Sequence, residues 1–409
     1  MDIDCHFVQA DSWAGTAMQE RMRWLRDNDP VYWSEQTGLW VISTYRDAEF
    51  ISKHQEIFTS EFGVRPATDT VIGLIDEAEP RHAQLRNMIN RGFSPRMVKR
   101  LAKQFLQITT NAIDAIAGQS ECDFVASISV PLPILLIAEM MGIHKEDRDR
   151  FHQWSDALIA ADGNRDKPEI VAAAGQAYVE YGEYVTKIIQ ERRKNPRDDF
   201  VSILTGAKDA GLLREFDKVD PLTGEPPANA ELANDELIML LVILMIAGNE
   251  TTRNGISGGM QLLIEHPDQR QKLLDDPSLI PNAVEEMVRV VSPVQTMGRT
   301  LTQDTELRGK QLKKGQQVCL VYPSVNRDAD VFEDPDTFDV ERNPQHLGFG
   351  IGSHFCLGAN LARMEMRVTF EEVLRRLPDM EYSRGGPEFR PSSLVRSCTE
   401  MWVRYTPEK

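Results

Sequence analysis

Ten residues near the C-terminus, Phe349-Gly350-Ile351-Gly352-Ser353-His354-Phe355-Cys356-Leu357-Gly358, constrain this chain more than any other stretch. Glycines let a backbone wrap closely around one thiol, because they take dihedral angles and approaches that a β-carbon forbids. Beyond the thiol, Leu357, Leu361, Met364 and Val368 recur at helical spacing until Pro378 stops the pattern, so a helix is predicted over 357–377. Cys356 then lies at a helix N-terminus, where unpaired N–H groups and the helix dipole favour negative charge and lower a thiol's pKa. Such a loop offers one thiolate to a metal such as iron; the alternative is that Cys356 is a small buried hydrophobe, the usual fate of a free cysteine.

The remaining sequence narrows the class. No Pro/Ser-rich linker or repeat divides the 409 residues, and 41% hydrophobic content supports a substantial core, so one domain over 1–409 is expected. Amphipathic segments dominate: Pro95–Ile116, Pro133–Met141, Lys145–Ala161, Pro168–Lys194, Asp235–Glu265, Pro267–Asp275 and Leu279–Val290. Val31–Trp33 and Leu39–Ser43 read as a hairpin, and Thr305–Leu307, Lys314–Tyr322 and Ser397–Tyr405 as one second small sheet. The predicted fold class is mainly α with small β-sheets. Asp209–Ala233, with its Pro/Gly cluster at 220–227, reads as a surface loop.

Five cysteines without C-x-x-C spacing point to neither a disulfide framework nor a structural zinc site. The longest apolar run, Leu237–Ala247, is well short of the roughly 20 residues that span a bilayer. With no basic-then-apolar leader at Met1–His6, a cytoplasmic protein without a membrane span is expected. A net charge of -17 argues against nucleic acid as a partner. One basic stretch stands against that background: Arg86, Arg91, Arg96, Lys99, Arg100 and Lys103.

The predicted helix from Asp235 to Glu265 runs about 46 Å. At its centre Ala247-Gly248-Asn249-Glu250-Thr251-Thr252 places a carboxylate and two hydroxyls directly after an apolar run, where polar groups are costly unless paired. Gly248 would leave room for a diatomic ligand, with Thr251 holding a water and Glu250 relaying protons inward. The plainer reading is that Thr251 bonds a carbonyl one turn back and Glu250 is solvated.

The pattern F-G-x-G-x-H-x-C-x-G resembles the haem-binding loop of the cytochrome P-450 family, and A-G-N-E-T-T resembles that family's A-G-x-[DE]-T-T. The resemblance implies that haem b (iron protoporphyrin IX) lies between the long central helix and the cysteine loop, with Cys356 as the metal ligand. It implies cofactor contacts from His82, Arg86, Ala247, Gly248, Arg299, Phe349, Gly350, His354 and Gly358, four of which (His82, Arg86, Arg299, His354) would meet the propionates. Glu286 and Arg289 match the family's E-x-x-R pair, completed by Arg342, as structural residues. Position relative to these motifs implies a substrate pocket at Ile243, Ala247, Val294, Gln295, Thr296, Met297 and Leu394, with Gln295, Thr296, Ser392 and Ser393 as possible polar anchors.

The function implied is a monomeric monooxygenase that inserts one atom of O2 into a C–H bond of a hydrophobic substrate, with Glu250 and Thr251 catalytic. Electrons would come from NAD(P)H through a ferredoxin and its reductase, docked on the basic stretch with Arg363 and Arg367. The string Ala247–Asn254 resembles members that oxidise sterol side chains and branched lipids. A terpenoid or fatty-acid hydroxylase is the nearer alternative, and a non-catalytic haem-thiolate sensor the more distant one.

Overall fold

The computed structural model describes residues 3–67, 73–93, 95–161, 164, 167–206 and 232–408. Thirteen α-helices occur among them: α1 Ala17–Asn28, α2 Tyr45–Lys53, α3 Arg81–Asn90, α4 Pro95–Ala117, α5 Pro131–Met141, α6 Arg148–Ala160, α7 Pro168–Lys194, α8 Phe200–Thr205, α9 Asn234–Glu265, α10 Pro267–Asp275, α11 Ile280–Val291, α12 Tyr322–Val325 and α13 Ala359–Arg376. The helices expected from periodicity are present within a few residues of their expected ends. The first three, α8 and α12 were not expected as helices, although Met18, Met22 and Leu25 form a buried i, i+4, i+7 stripe on α1.

Helix α9 organises the core, and its glycines explain how. A side chain at Gly255 would collide with Met366 of α13, at Gly258 with Val291 of α11, and at Gly259 with Phe370 of α13 and Met287 of α11. The central helix therefore tolerates residues of poor helical propensity because each one seats a neighbour's side chain. One large apolar cluster spans α4, α5, α7, α9, α11 and α13.

The strands are β1 Val31–Ser34, β2 Leu39–Ile42, β3 Phe58–Thr59, β4 Glu121–Asp123, β5 Thr296–Leu301, β6 Thr305–Leu307, β7 Lys310–Leu312, β8 Gln317–Val321, β9 Glu381–Tyr382, β10 Glu388–Arg390, β11 Ser397–Glu400 and β12 Trp402–Arg404. The hairpin stands as expected, Val31 facing Ile42. The single second sheet does not: β8 joins the hairpin in a five-stranded sheet of order β1-β2-β8-β5-β3, β6 pairs only with β7, β11 with β10, and β12 lies between β4 and β9. Alternating patterns identify strands, but the pairing partners are distant in sequence and leave no local trace. Of the predicted surface loop Asp209–Ala233, all but the last two residues lie outside the described residues. No described helix is long and apolar enough to cross a membrane.

Candidate active site

The cysteine loop is closed by its own backbone. Gly350 and Gly352 take φ of 68° and 80°, in the left-handed region that favours glycine, and the loop then turns through Gly352–His354. The N–H of Cys356 donates to Phe349 O at 2.8 Å, and the N–H of Ala359 to Cys356 O at 3.3 Å. Cys356 is accessible by surface area yet has a dense shell of protein atoms near it, as a sulfur at the floor of a cleft does. Helix α13 starts three residues after it, at Ala359. Burial pushes the Cys356 thiol up, outweighing the N–H groups of Gly358 and Ala359 and the guanidiniums of Arg86 and Arg363, which favour the thiolate. The expected lowering is thus reversed in the protein alone, because desolvation exceeds the helix-end contribution.

Four basic side chains converge beside this loop. The rings of His82 (α3) and His354 stack with centroids 4.1 Å apart. Arg86, one turn beyond His82, donates to Phe355 O and so braces the cysteine loop directly. Arg299, from β5, is 6% exposed, and its guanidinium donates to Gly298 O at 2.6 Å. Burial drives His354 down to about 3, helped by Arg299, His82 and Arg86, so its ring is neutral and bonds Ser60 Oγ at 3.2 Å. Among the described residues Arg299 has no ion pair, although Asp76 lies near enough to oppose the lowering that burial imposes. A buried cation of this kind is costly unless paired. The cluster suits a ligand that brings carboxylates of its own, as haem does with two propionates, and with Cys356 on the cleft wall the residues fit that group.

Helix α9 supplies the other wall. Ala247 is exposed in the middle of the helix with Leu244, Gly248 and Thr251 half-buried around it, while Asn249, Glu250 and residues 252–260 are buried, so α9 presents a single accessible face there. Glu250 is 1% exposed, which excludes a solvated role. Its Oε1 lies 2.9 Å from Arg253 Nη1 without hydrogen-bond alignment, so both carboxylate oxygens lack a hydrogen bond. Burial raises this carboxyl to about 7, with Asp156 adding to the rise and Arg253 and Arg390 opposing it. Thr251 donates to Ala247 O at 2.8 Å, the bond one turn back, which leaves its oxygen free to accept. Gly248 departs from expectation: a β-carbon there would stand 2.9 Å from Ile137 Cγ1 and closer still to Cδ1. Its small size lets α5 pack against α9.

A family model, Cytochrome P450, matches residues 5–387. The chain belongs to the cytochrome P450 family. This cytochrome P450 is 35% identical over 406 residues to a steroid C26-monooxygenase of Mycolicibacterium smegmatis, covering 99% of this chain and 96% of that protein. It is 38% identical over 355 residues to a methyl-branched lipid omega-hydroxylase of Mycobacterium tuberculosis, covering 84% of this chain and 78% of that one. Among solved structures it resembles CYP109E1 from Bacillus megaterium in complex with testosterone, with a TM-score of 0.82, 30% identity and coverage of 94% and 98%. The family is one of haem monooxygenases that take electrons from redox partners.

The P450's buried ion network is as its spacing suggested. Arg289 donates through Nε and Nη2 to the two oxygens of Glu286, both at 2.7 Å, and Arg342 Nε reaches the same carboxylate at 3.1 Å. Arg289 also bonds the carbonyls of Asn326, Pro335 and Thr337, tying α11 to the segment before the cysteine loop. Ser292 ends α11 in a left-handed conformation, φ 44°, and its hydroxyl accepts from Asn326 Nδ2 at 2.9 Å, which turns the chain into β5.

The expected polar anchors are engaged elsewhere. Gln295 Nε2 donates to Ser392 O, Thr296 Oγ1 to Ser393 O at 2.7 Å, and Ser393 Oγ to Val8 O at 3.0 Å. Ser392 Oγ accepts from the N–H groups of Leu394 and Val395, each at 3.3 Å. These groups staple Val294–Met297 to Ser392–Val395, so the polar atoms expected as substrate anchors hold the two segments together.

Sequence reasoning overlooked Glu285 and His346 and read Arg363 as a docking charge. Arg363 instead donates through Nε and Nη2 to Glu285 at 2.6 and 2.8 Å, and His346 Nε2 lies 3.2 Å from the same carboxylate. Arg100 pairs with Asp198 and Arg367 with Glu371, so these two, with Arg363, are neutralised within the expected basic surface. The side chains of Arg91 and Arg96 lie outside the described residues.

Proposed function

We propose that this cytochrome P450 hydroxylates the side chain of a neutral steroid, with Cys356 as the residue that would bind the haem iron and Glu250 and Thr251 as its proton-delivery pair. The observation that carries the reading is the buried acid beside the alcohol on α9, behind the accessible surface of Ala247. Haem supplies, when bound, the activation of O2 that places one oxygen atom in a C–H bond and releases the other in water, using two electrons and two protons. The chain's own groups govern the protons. Glu250, held at about 7, exists in both protonation states near neutrality and can pass a proton on without leaving a fixed buried charge. Thr251, its hydrogen committed to Ala247 O, accepts from a water and holds it at the cleft wall. Cys356 would supply a thiolate to the iron, whose electron density favours O–O cleavage.

His82, Arg86, Arg299 and His354 would hold the propionates, and Glu286, Arg289 and Arg342 brace the fold around the ligand loop. Electrons come from NAD(P)H through a separate ferredoxin and reductase in the cytoplasm. The relatives that act on steroids and branched lipids support the substrate class. So does the expected pocket: its residues carry no cationic group, so a free carboxylate would find no charge to pair with. The test is an optical titration of the ferric protein with a sterol-enone, a methyl-branched fatty acid and a monoterpenoid. A saturable low-to-high-spin shift with the sterol-enone is expected; a shift confined to the fatty acid would overturn the neutral-steroid assignment.

A further inference from the structure

Helix α11 carries two consecutive carboxylates, Glu285 and Glu286, and successive positions on a helix point about 100° apart. Glu286 turns toward Arg289 and Arg342. Glu285 turns toward the cysteine loop and α13, where it binds His346 and both arms of Arg363's fork. His346 Nδ1 accepts the N–H of Gly348 at 3.0 Å, so a neutral ring carries its proton on Nε2 and donates it to Glu285. The guanidinium of Arg363 lies over the Phe349 ring, Cζ 4.6 Å from the centroid. Phe349 in turn accepts the Cys356 N–H through its carbonyl at 2.8 Å. Every link between Glu285 and the sulfur is therefore a specific contact.

We infer that Glu285 is a positioning residue for the thiolate: by fixing Arg363 against Phe349 it balances the cationic charge beside Cys356 and thereby sets the reduction potential of the bound haem. The inference rests on Cys356 being the ligand. Burial acts to raise the Glu285 carboxyl, but His346 and Arg363 hold it at about 2, so it is charged at every pH at which the enzyme would work. Arg363 is correspondingly a poor docking charge, since Glu285 takes both its Nε and one Nη donor. Reduction adds one electron and breaks no bond. An unbalanced positive charge nearby favours the added electron, and an unbalanced negative charge opposes it.

The experiment is an anaerobic dithionite titration of the haem-loaded protein with mediator dyes, on samples that give a thiolate-type ferrous carbonyl spectrum. Glu285→Gln is expected to move the midpoint potential to more positive values and Arg363→Gln to more negative ones, while the double variant returns toward the wild type. Single variants that shift in the same direction, a double variant further away than either, or potentials unmoved beyond replicate spread would overturn the inference. Where Glu285→Gln does not load haem, Arg363→Lys against Arg363→Gln decides. Lys keeps the charge and should stay nearer the wild type, and equal shifts for the two would overturn it. A wild type lacking the thiolate spectrum would remove the ligand assignment and this inference together, whereas an intact spectrum with unmoved potentials would remove this inference alone.

Discussion

Glu250 and Arg253 lie one turn apart on α9, both buried, with Oε1 and Nη1 at 2.9 Å and yet no hydrogen bond to either carboxylate oxygen. An acid held this way gains less from its partner than it loses to burial, and its carboxyl rises to about 7.

That rise fixes a pH dependence. Between the ordinary carboxyl value near 4.3 and about 7, the unfolded chain is ionised while the folded chain holds the proton, so stability falls as pH climbs through this window and levels off above it. Glu250→Gln is expected to be more stable than the wild type at about pH 8, by up to roughly 4 kcal/mol, and to differ little at about pH 4. Urea midpoints at the two pH values measure the difference; a pH-independent gain would contradict the assignment.

The same acid and its neighbouring alcohol predict a split in kinetics. Glu250→Gln should slow turnover about 100-fold, the usual scale for losing a positioned proton donor. Thr251→Ala should instead keep consuming oxygen while product per electron falls and hydrogen peroxide rises, with Thr251→Ser restoring coupling. An oxygen electrode run beside a peroxide assay separates them, and unchanged coupling in Thr251→Ala would sink the role given to the hydroxyl.

Gly248 predicts a packing defect rather than a binding one. Gly248→Ala drives a methyl into Ile137, and overpacking of this kind costs about 1–3 kcal/mol. Adding Ile137→Ala should recover most of the lost melting temperature. If cyanide affinity of the ferric enzyme changed strongly while the melting temperature did not, the glycine would face the ligand after all.

Glu286 and Arg289 are both 0% exposed, so removing one charge strands the other. Glu286→Gln is expected to cost about 3–5 kcal/mol and to lower the haem content of purified protein. Recovery of full haem content with an unchanged melt would refute the bracing role.

How much of this was readable in advance follows the range of the contacts. The cysteine loop, the Glu250–Thr251 pair and the Glu286–Arg289 pair are defined by spacing within a turn or a loop, and sequence carries such spacing directly. Thr296 and Gln295 are polar residues at positions expected to line the pocket, but whether they meet substrate or backbone depends on Ser392 and Ser393, and on that the local sequence is silent. Gly248 has a meaning only once Ile137 is placed beside it. The direction of the Cys356 shift was misjudged for a related reason: a helix terminus is visible in sequence, whereas the depth of burial that outweighs it is a property of the whole fold. Glu285 was passed over because its neighbour matched a motif.

Ser393 donates to the carbonyl of Val8 across 385 positions, and the Ser392–Leu394 segment it belongs to is bonded to Gln295 and Thr296. The tether to Gln295 and Thr296 runs through the carbonyls of Ser392 and Ser393, which any residue would supply, whereas the tether to Val8 depends on one hydroxyl. Substitution at Ser393 therefore releases the distant segment while leaving the nearer one fastened.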